Sequence, residues 1–220
     1  MRNVYRIAKT ELRMLFCSPI MWVLLLIFVM QASGIFSGLC WRIAHNNEWG
    51  DGYFSPGSFG FIMGMWMSTC GSLHFYIPLL TMGLISRELS TGSIKLLYSS
   101  PISNAQIVLG KFFSTVMFAV ILCVVLLLYV FVAGNIIEAF QWQATLVGLL
   151  GIFLLACTYI SIGLFVSSLT SYQFVAALGT YLLLALLLAV GGWWQEYDVV
   201  RDITYWLSIS GRAYLSLIHI

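Results

Sequence analysis

Four long stretches without a charged residue constrain this sequence more than any other feature. Residues 14–41, 52–86, 112–137 and 139–195 contain no Asp, Glu, Lys or Arg. Because a helix needs about 20 apolar residues to cross a bilayer, each of the first three stretches predicts one span. The fourth has room for two, and the polar run at residues 167–173 divides it. We therefore expect five transmembrane helices, near residues 19–40, 60–85, 112–134, 145–166 and 174–192.

The composition agrees with a membrane protein. Apolar residues make up 61% of the 220 residues and charged residues only 8%, whereas soluble domains carry roughly 25% charged residues. The predicted fold class is an all-α polytopic membrane protein that forms one domain over residues 1–220. The net charge of +2 and the lack of a basic stripe argue against nucleic acid as a partner. The lipid bilayer is the expected surrounding.

Lysine and arginine are distributed unequally between the two sides of the predicted bundle. With the N-terminus inside, the inner segments hold Arg2, Arg6, Lys9, Arg13, Arg87, Lys95 and Lys111, and the outer segments hold Arg42, Arg201 and Arg212. The positive-inside rule therefore places the N-terminus in the cytoplasm. With five spans this places residues 193–220 outside. We expect a multi-pass protein of the plasma (inner) membrane.

The first 17 residues have the pattern of an amphipathic helix. Apolar residues recur at helical spacing and basic residues fill the other positions. We expect a helix in the inner interface, with its cations near anionic headgroups. A basic flank that only sets topology is the alternative. A cleavable signal peptide is disfavoured, since the following apolar stretch is too long for one.

Pairs of glycines inside the predicted spans indicate helix packing. Glycines four residues apart let membrane helices approach closely, and they occur as Gly34 with Gly38 in span one and Gly60 with Gly64 in span two. This pattern predicts contact within the chain or between two copies.

His74 and Pro78 lie four residues apart in span two. Pro78 lacks the N–H that would bond the carbonyl of His74, so we expect a kink. A histidine inside the membrane is a candidate for proton transfer. We favour a structural role, since no ionisable neighbour of His74 lies within one helical turn.

Residues 86–111 form the longest positively charged interruption between two spans and carry signals for ordered structure. The run Thr91-Gly92-Ser93 predicts a helix break, and Pro101 predicts a turn. Ser103 and Gln106 have the spacing of a capping box, which predicts a helix that starts near Asn104 and continues into span three. Between these signals, residues 93–98 predict a short helix on the cytoplasmic side, suited to docking a partner.

The motifs that catalysis would need are absent from the sequence. Gly110-Lys111 is not a Walker A motif, because Phe112 follows it and no glycine stands five residues before Gly110. No H-E-x-x-H or G-x-S-x-G motif occurs, and the five cysteines form no C-x-x-C pair. We therefore expect neither an enzyme nor a resident metal. Ion-coupled transport has few ionisable residues to use, so transport would need energy from another polypeptide.

The order of these features resembles the permease subunit of ABC-2 type ABC transporters. The resemblance covers nearly all of the chain and is sharpest in PLLTMGLISRELSTGSIKLLYSSPISNAQIVLGK, from Pro78 to Lys111. The matching features are an acid, a Gly-Ser break, a short apolar helix, a Pro turn and a Gly-Lys pair: Glu88, Gly92-Ser93, Ile94-Leu96-Leu97, Pro101 and Gly110-Lys111. The segments Glu11-Leu12-Arg13 and Ser18-Pro19 look like the branch of gliding-motility and related exporter permeases.

The resemblance implies a permease of the exporter type. It would work with a cytosolic ABC ATPase, as a homodimer or with a paralogous permease. ATP would be bound by the partner subunit, and this chain would hold no cofactor. Residues 1–17 would be the connecting helix and residues 93–98 the coupling helix, seated in a cleft of the ATPase. The residues implied in coupling are Glu88, Gly92, Ser93, Ile94, Lys95, Leu96, Leu97 and Pro101.

Two features depart from the family pattern. Lys95 stands where the family commonly has an acid, which puts charge pairing with the ATPase in doubt. The family normally has six spans, whereas five are expected here, so we expect a C-terminally truncated chain in preference to a natural five-span protein. The alternative function is a membrane scaffold or assembly factor that binds a cytosolic partner and transports nothing.

Overall fold

The computed structural model describes residues 2–45, 58–93, 103–136, 140 and 142–193. Every regular element in these ranges is an α-helix, which confirms the all-α prediction for the described part of the chain. The helices are α1 (Arg2–Cys17), α2 (Pro19–His45), α3 (Ser58–Thr81), α4 (Ser86–Thr91), α5 (Asn104–Ile136), α6 (Trp142–Leu169) and α7 (Gln173–Trp193).

Three of these helices are long and apolar enough to cross a membrane. They are Pro19–Trp41 within α2, Asn104–Ile136 and Trp142–Leu169. Gln173–Leu188 within α7 is a shorter apolar helix, and α3 contains the predicted Pro78. The predicted total of five spans therefore stays a prediction. Most of the predicted outer segment, from residue 194 on, lies outside the described residues.

The bundle is organised around α3, which packs against α2, α6 and α7, while α6 also packs against α5 and α7. The core contains large side chains that are almost fully buried, among them Trp66, Phe118, Leu126 and Tyr159. The outer surface of the bundle exposes many large apolar side chains, and those of α5 include Phe113, Met117, Val124, Leu128 and Phe131. Soluble monomers rarely expose contiguous apolar surface of this extent. Lipid is the solvent that such a surface fits.

Helix α1 packs along α5. A single residue, Ser18, separates α1 from α2. Ser18 precedes Pro19, and its carbonyl accepts the N–H of Met21 at 3.2 Å. Proline fits the first turn of a helix because the missing N–H would have no partner there. The basic side chains of α1, Arg6, Lys9 and Arg13, are exposed. The predicted amphipathic helix is present, and α5 covers part of its apolar face.

The end of α3 differs from the prediction. Span two was expected to reach residue 85, with the helix broken only at residues 91–93, whereas α3 ends at Thr81 and α4 begins at Ser86 after a turn. A residue from another helix bonds the chain just after this early end. The side chain of Ser167 in α6 takes up the N–H groups of Ile85 and Ser86, so these groups make no helical bond to the preceding turn.

Candidate functional site

A buried ion cluster lies at the α1 end of the bundle. The Nζ atom of Lys111 in α5 is 2.6 Å from Oε1 of Glu11 in α1 and 2.6 Å from Oε1 of Glu88 in α4. The lysine side chain is only 2% exposed, and the two glutamates are 13% and 21% exposed. Because a buried ammonium is very costly without a counter-charge, Lys111 holds α1 and α4 in place through their glutamates. We call Glu11, Glu88 and Lys111 the ion cluster.

The contact between α1 and α5 explains how Glu11 reaches Lys111. A Cβ atom at Gly110 would lie 2.6 Å from Cγ2 of Ile7, which is closer than two non-bonded carbon atoms approach in proteins. Glycine at this position therefore lets α1 lie directly on α5. Residues four apart share one face of a helix, so Ile7 against Gly110 places Glu11 beside Lys111.

Helix α4 is fixed from its other side by α6. The Oγ atom of Ser167 accepts the N–H of Ile85 at 3.2 Å and of Ser86 at 3.1 Å, and it donates to the carbonyl of Met82 at 3.2 Å. The first N–H groups of a helix need outside acceptors, and Ile85 at the N-cap makes no side-chain bond. Ser167 therefore supplies the cap from a helix 81 residues further along the chain.

Both ends of the predicted coupling segment are fixed. Gly92 ends α4 in the left-handed conformation, with φ 71° and its N–H bonded to Leu89 O at 3.3 Å, a cap that favours glycine. On the far side, Ser103 O accepts the N–H of Gln106 at 2.9 Å where α5 begins. The predicted helix break at Gly92 and helix start near Asn104 are present. Ser93 follows Gly92, with its Oγ 2.9 Å from that of Thr91.

The remaining coupling residues lie outside the described residues. These are Ile94, Lys95, Leu96, Leu97 and Pro101. Of the short helix predicted over residues 93–98, the structure describes Ser93. Glu88, Gly92 and Ser93 thus lie together at the start of the segment. Their assignment to ATPase coupling stays a prediction.

His74 is held inside the bundle by two polar contacts. Its Nδ1 is 3.1 Å from the carbonyl of Cys70, and its Nε2 is 3.0 Å from the hydroxyl of Tyr159 in α6. A carbonyl can only accept, so Nδ1 carries the proton and Nε2 accepts from the tyrosine. The Nδ1 contact lies within α3 and the Nε2 contact joins α3 to α6. Both ring nitrogens are therefore bonded, which favours the structural role. The kink predicted at Pro78 stays a prediction.

In the described part of the chain, the glycines that lie at close helix contacts are not those of the predicted pairs. A Cβ atom at Gly34 or Gly38 would meet nothing within 4 Å in the part of the chain described. The glycines at which a Cβ would collide with another helix are instead Gly110 against Ile7, Gly134 against Trp142, Gly148 against Trp66 and Gly163 against Thr81. Packing of Gly34 and Gly38 within the described chain is therefore not seen, and contact with another copy stays a prediction. So does the role of Gly60 and Gly64, in the first two turns of α3.

Sequence reasoning missed the ion cluster, although the sequence contained a signal for it. Glu11 and Glu88 are the only acids in the two predicted inner segments, residues 1–17 and 86–111. Lys111 borders a span, where an unpaired charge is costly. These facts together indicate a shared counter-ion. No group of three or more metal-binding side chains occurs among residues that the structure describes.

Comparison with protein families gives a match over the helical bundle. The family model described as ABC-2 family transporter protein matches residues 62–195, which is more than half of the chain. The matched region runs from α3 to just beyond α7 and contains Glu88, Lys111 and Ser167. Comparison with curated proteins gives no match.

Proposed function

Because the chain belongs to the ABC-2 transporter family, we propose that it is the membrane-spanning permease subunit of an ABC transporter. Its partner in this proposal is a cytosolic ABC ATPase, which binds and hydrolyses ATP, while this chain itself catalyses no reaction and holds no cofactor. The proposal places the protein in the plasma membrane with five spans and a cytoplasmic N-terminus. It further assigns the chain to exporters of the gliding-motility type, working as a homodimer or with a paralogous permease.

The observation that carries this proposal is the set of contacts that holds α4 where the coupling segment begins. We call the ion cluster and the Ser167 cap together the joint. The ion cluster links α4 to α1 and α5, and the Ser167 cap links α4 to α6. In sequence, residues 94–102 connect Ser93, next to the end of α4, with Ser103, at the start of α5. A force applied to the segment therefore reaches four helices at once. A permease driven by a separate ATPase needs such a lever.

In this proposal some of the predicted coupling residues shape the joint and others contact the ATPase. Glu88 pairs with Lys111 inside the chain, so we assign it to holding the joint and not to contact with the ATPase. Gly92 ends α4 so that the chain can turn toward the ATPase. Ile94 and Leu97 are assigned to the apolar contact with the ATPase cleft.

The proposal is tested on the chain together with an ABC ATPase, whose gene we expect beside that of the permease. The complex is purified through a tag on this chain and placed in lipid nanodiscs. Hydrogen exchange of the chain is then compared between nucleotide-free complex and complex trapped with ATP and vanadate. A permease shows changed exchange in α2, in α3 and in the part of α5 beyond Lys111. A scaffold shows changes confined to residues 86–111, and this result would overturn the proposal.

A further inference from the structure

A cavity of about 330 Å³ lies between α1, α2, α3 and α4 and is bordered by the ion cluster. This volume is in the range of about 300–1,000 Å³ that small-molecule sites occupy. Its lining combines charged and apolar side chains. The charged side chains are those of the ion cluster and Arg87, which we call the polar end, and the apolar side chains include Leu24, Leu80 and Leu84.

The charges at the polar end balance, and some of their hydrogen-bonding atoms have no partner among the described residues. Two carboxylates and two cations border the cavity, so their formal charges cancel. Glu11 and Glu88 each bond Lys111 through Oε1, and among the described residues no hydrogen bond reaches their Oε2 atoms. The guanidinium of Arg87 likewise makes no ion pair with a described residue. The polar end therefore offers acceptors for an ammonium and a donor fork for a phosphate.

The cavity is open toward the side of the bundle. Met14, Ile20 and Leu79 line it and are each about half exposed. Their exposed side chains belong to the apolar surface that faces lipid in the proposed membrane orientation. An acyl chain can therefore run from the bilayer into the cavity between them. The volume is too small to enclose a lipid with two chains, so most of the chain length stays in the bilayer.

We propose that this cavity binds the headgroup of a membrane phospholipid with a primary ammonium, of the phosphatidylethanolamine class. The phosphate lies on Arg87, the ammonium donates to the free oxygens of Glu11 and Glu88, and the first chain methylenes lie against Leu24 and Leu80. This inference rests on the proposed function only for the leaflet, which is the inner one. The site then ties occupancy by a lipid to the joint that holds the coupling segment.

Binding is measured on the full chain, purified in detergent and freed of lipid, by native mass spectrometry. Phosphatidylethanolamine, phosphatidylcholine and phosphatidylglycerol with identical acyl chains are added separately. Choline keeps the positive charge but has no N–H to donate, and glycerol has no positive charge. We expect the ethanolamine lipid to bind about tenfold more tightly than either of the other two, since charge-assisted hydrogen bonds are lost in both cases.

Two pairs of variants locate the site. Arg87→Gln removes the phosphate partner without touching the ion cluster, and we expect about tenfold weaker binding of the ethanolamine lipid. The matched control is Arg13→Gln, which removes an exposed arginine that does not line the cavity. Gly83→Leu fills the cavity, because a Cβ at Gly83 meets only Gln173 at 3.9 Å. Gly151→Leu, at an open position, is its control.

Equal binding of the three lipids would overturn the proposal. The absence of binding would also overturn it, and this is the result expected if residues 94–102 or a second copy of the chain occupies the cavity. Equal effects of Arg87→Gln and Arg13→Gln would also overturn it. If Gly83→Leu does not fold, the arginine pair decides. The binding assay contains no ATPase. A failure here combined with nucleotide-dependent exchange in α2, in α3 and in the part of α5 beyond Lys111 would therefore remove the lipid site and leave the permease.

Discussion

Replacing Lys111 with methionine tests whether the ion cluster holds the joint together. Methionine keeps an unbranched side chain but removes the ammonium. Glu11 and Glu88 would then face each other without a counter-charge. Their Oε1 atoms are each 2.6 Å from the same nitrogen, so they are at most twice that distance apart. Two carboxylates this close repel each other.

The expected loss of stability follows from the burial of the three side chains. Removing one partner of a buried ion pair costs about 3–5 kcal/mol. Glu11 and Glu88 are 13% and 21% exposed, so water partly screens their repulsion, and the lower value of about 3 kcal/mol applies. Glu88→Gln leaves Glu11 on the lysine and should cost less, about 1.5 kcal/mol.

Thermal unfolding in detergent, followed with a thiol-reactive dye on the native cysteines, measures this loss. For soluble domains of similar length 1 kcal/mol lowers Tm by about 2–4 °C, so Lys111→Met should lower Tm by about 6–12 °C. Lys9→Met is the control. Lys9 also lies in α1 but is exposed, so its replacement should change Tm little. Equal Tm values for the two variants would refute the assigned role. Adding Glu11→Gln and Glu88→Gln to Lys111→Met should restore most of the loss.

Three further variants test other contacts. Ser167→Ala removes the cap of α4 and should cost about 1–2 kcal/mol, seen as faster amide exchange at the start of α4, whereas Ser161→Ala should have no such effect. Gly110→Leu cannot fit against α1 and should lower Tm well below that of Gly151→Leu; equal values would contradict the close packing. Tyr159→Phe removes the donor to His74 and should cost about 1 kcal/mol without changing ATP hydrolysis by the complex. A large loss of hydrolysis would instead indicate proton transfer.

Local patterns in the sequence predicted the helices well. The helix break at Gly92, the helix start at Asn104 and the amphipathic α1 each depend on residues that are close together in sequence, and each is present. The charge-free stretches likewise predicted α2, α5 and α6 as helices long enough to span a bilayer. The resemblance to ABC-2 permeases is confirmed at the level of the family.

The contacts that build the site depend on residues far apart in sequence. Glu11 and Lys111 are separated by 100 residues, Ser86 and Ser167 by 81, and these pairs arise only when the helices pack. For the same reason the early end of α3 could not be predicted, because the acceptor that bonds the chain just after it comes from α6. The partner of His74 is likewise on another helix, and a search within one helical turn could not find it.

Retention of the ATPase by coupling-segment variants decides whether force enters the permease through residues 94–102. Ile94→Asp combined with Leu97→Asp is compared with Asn135→Asp, which adds a carboxylate at the opposite end of α5. Each tagged variant is purified after co-expression with the ATPase, and the ratio of ATPase to permease is measured. We expect the double variant to insert normally and lose the ATPase, and Asn135→Asp to keep it. Full retention by the double variant would show that the ATPase docks elsewhere.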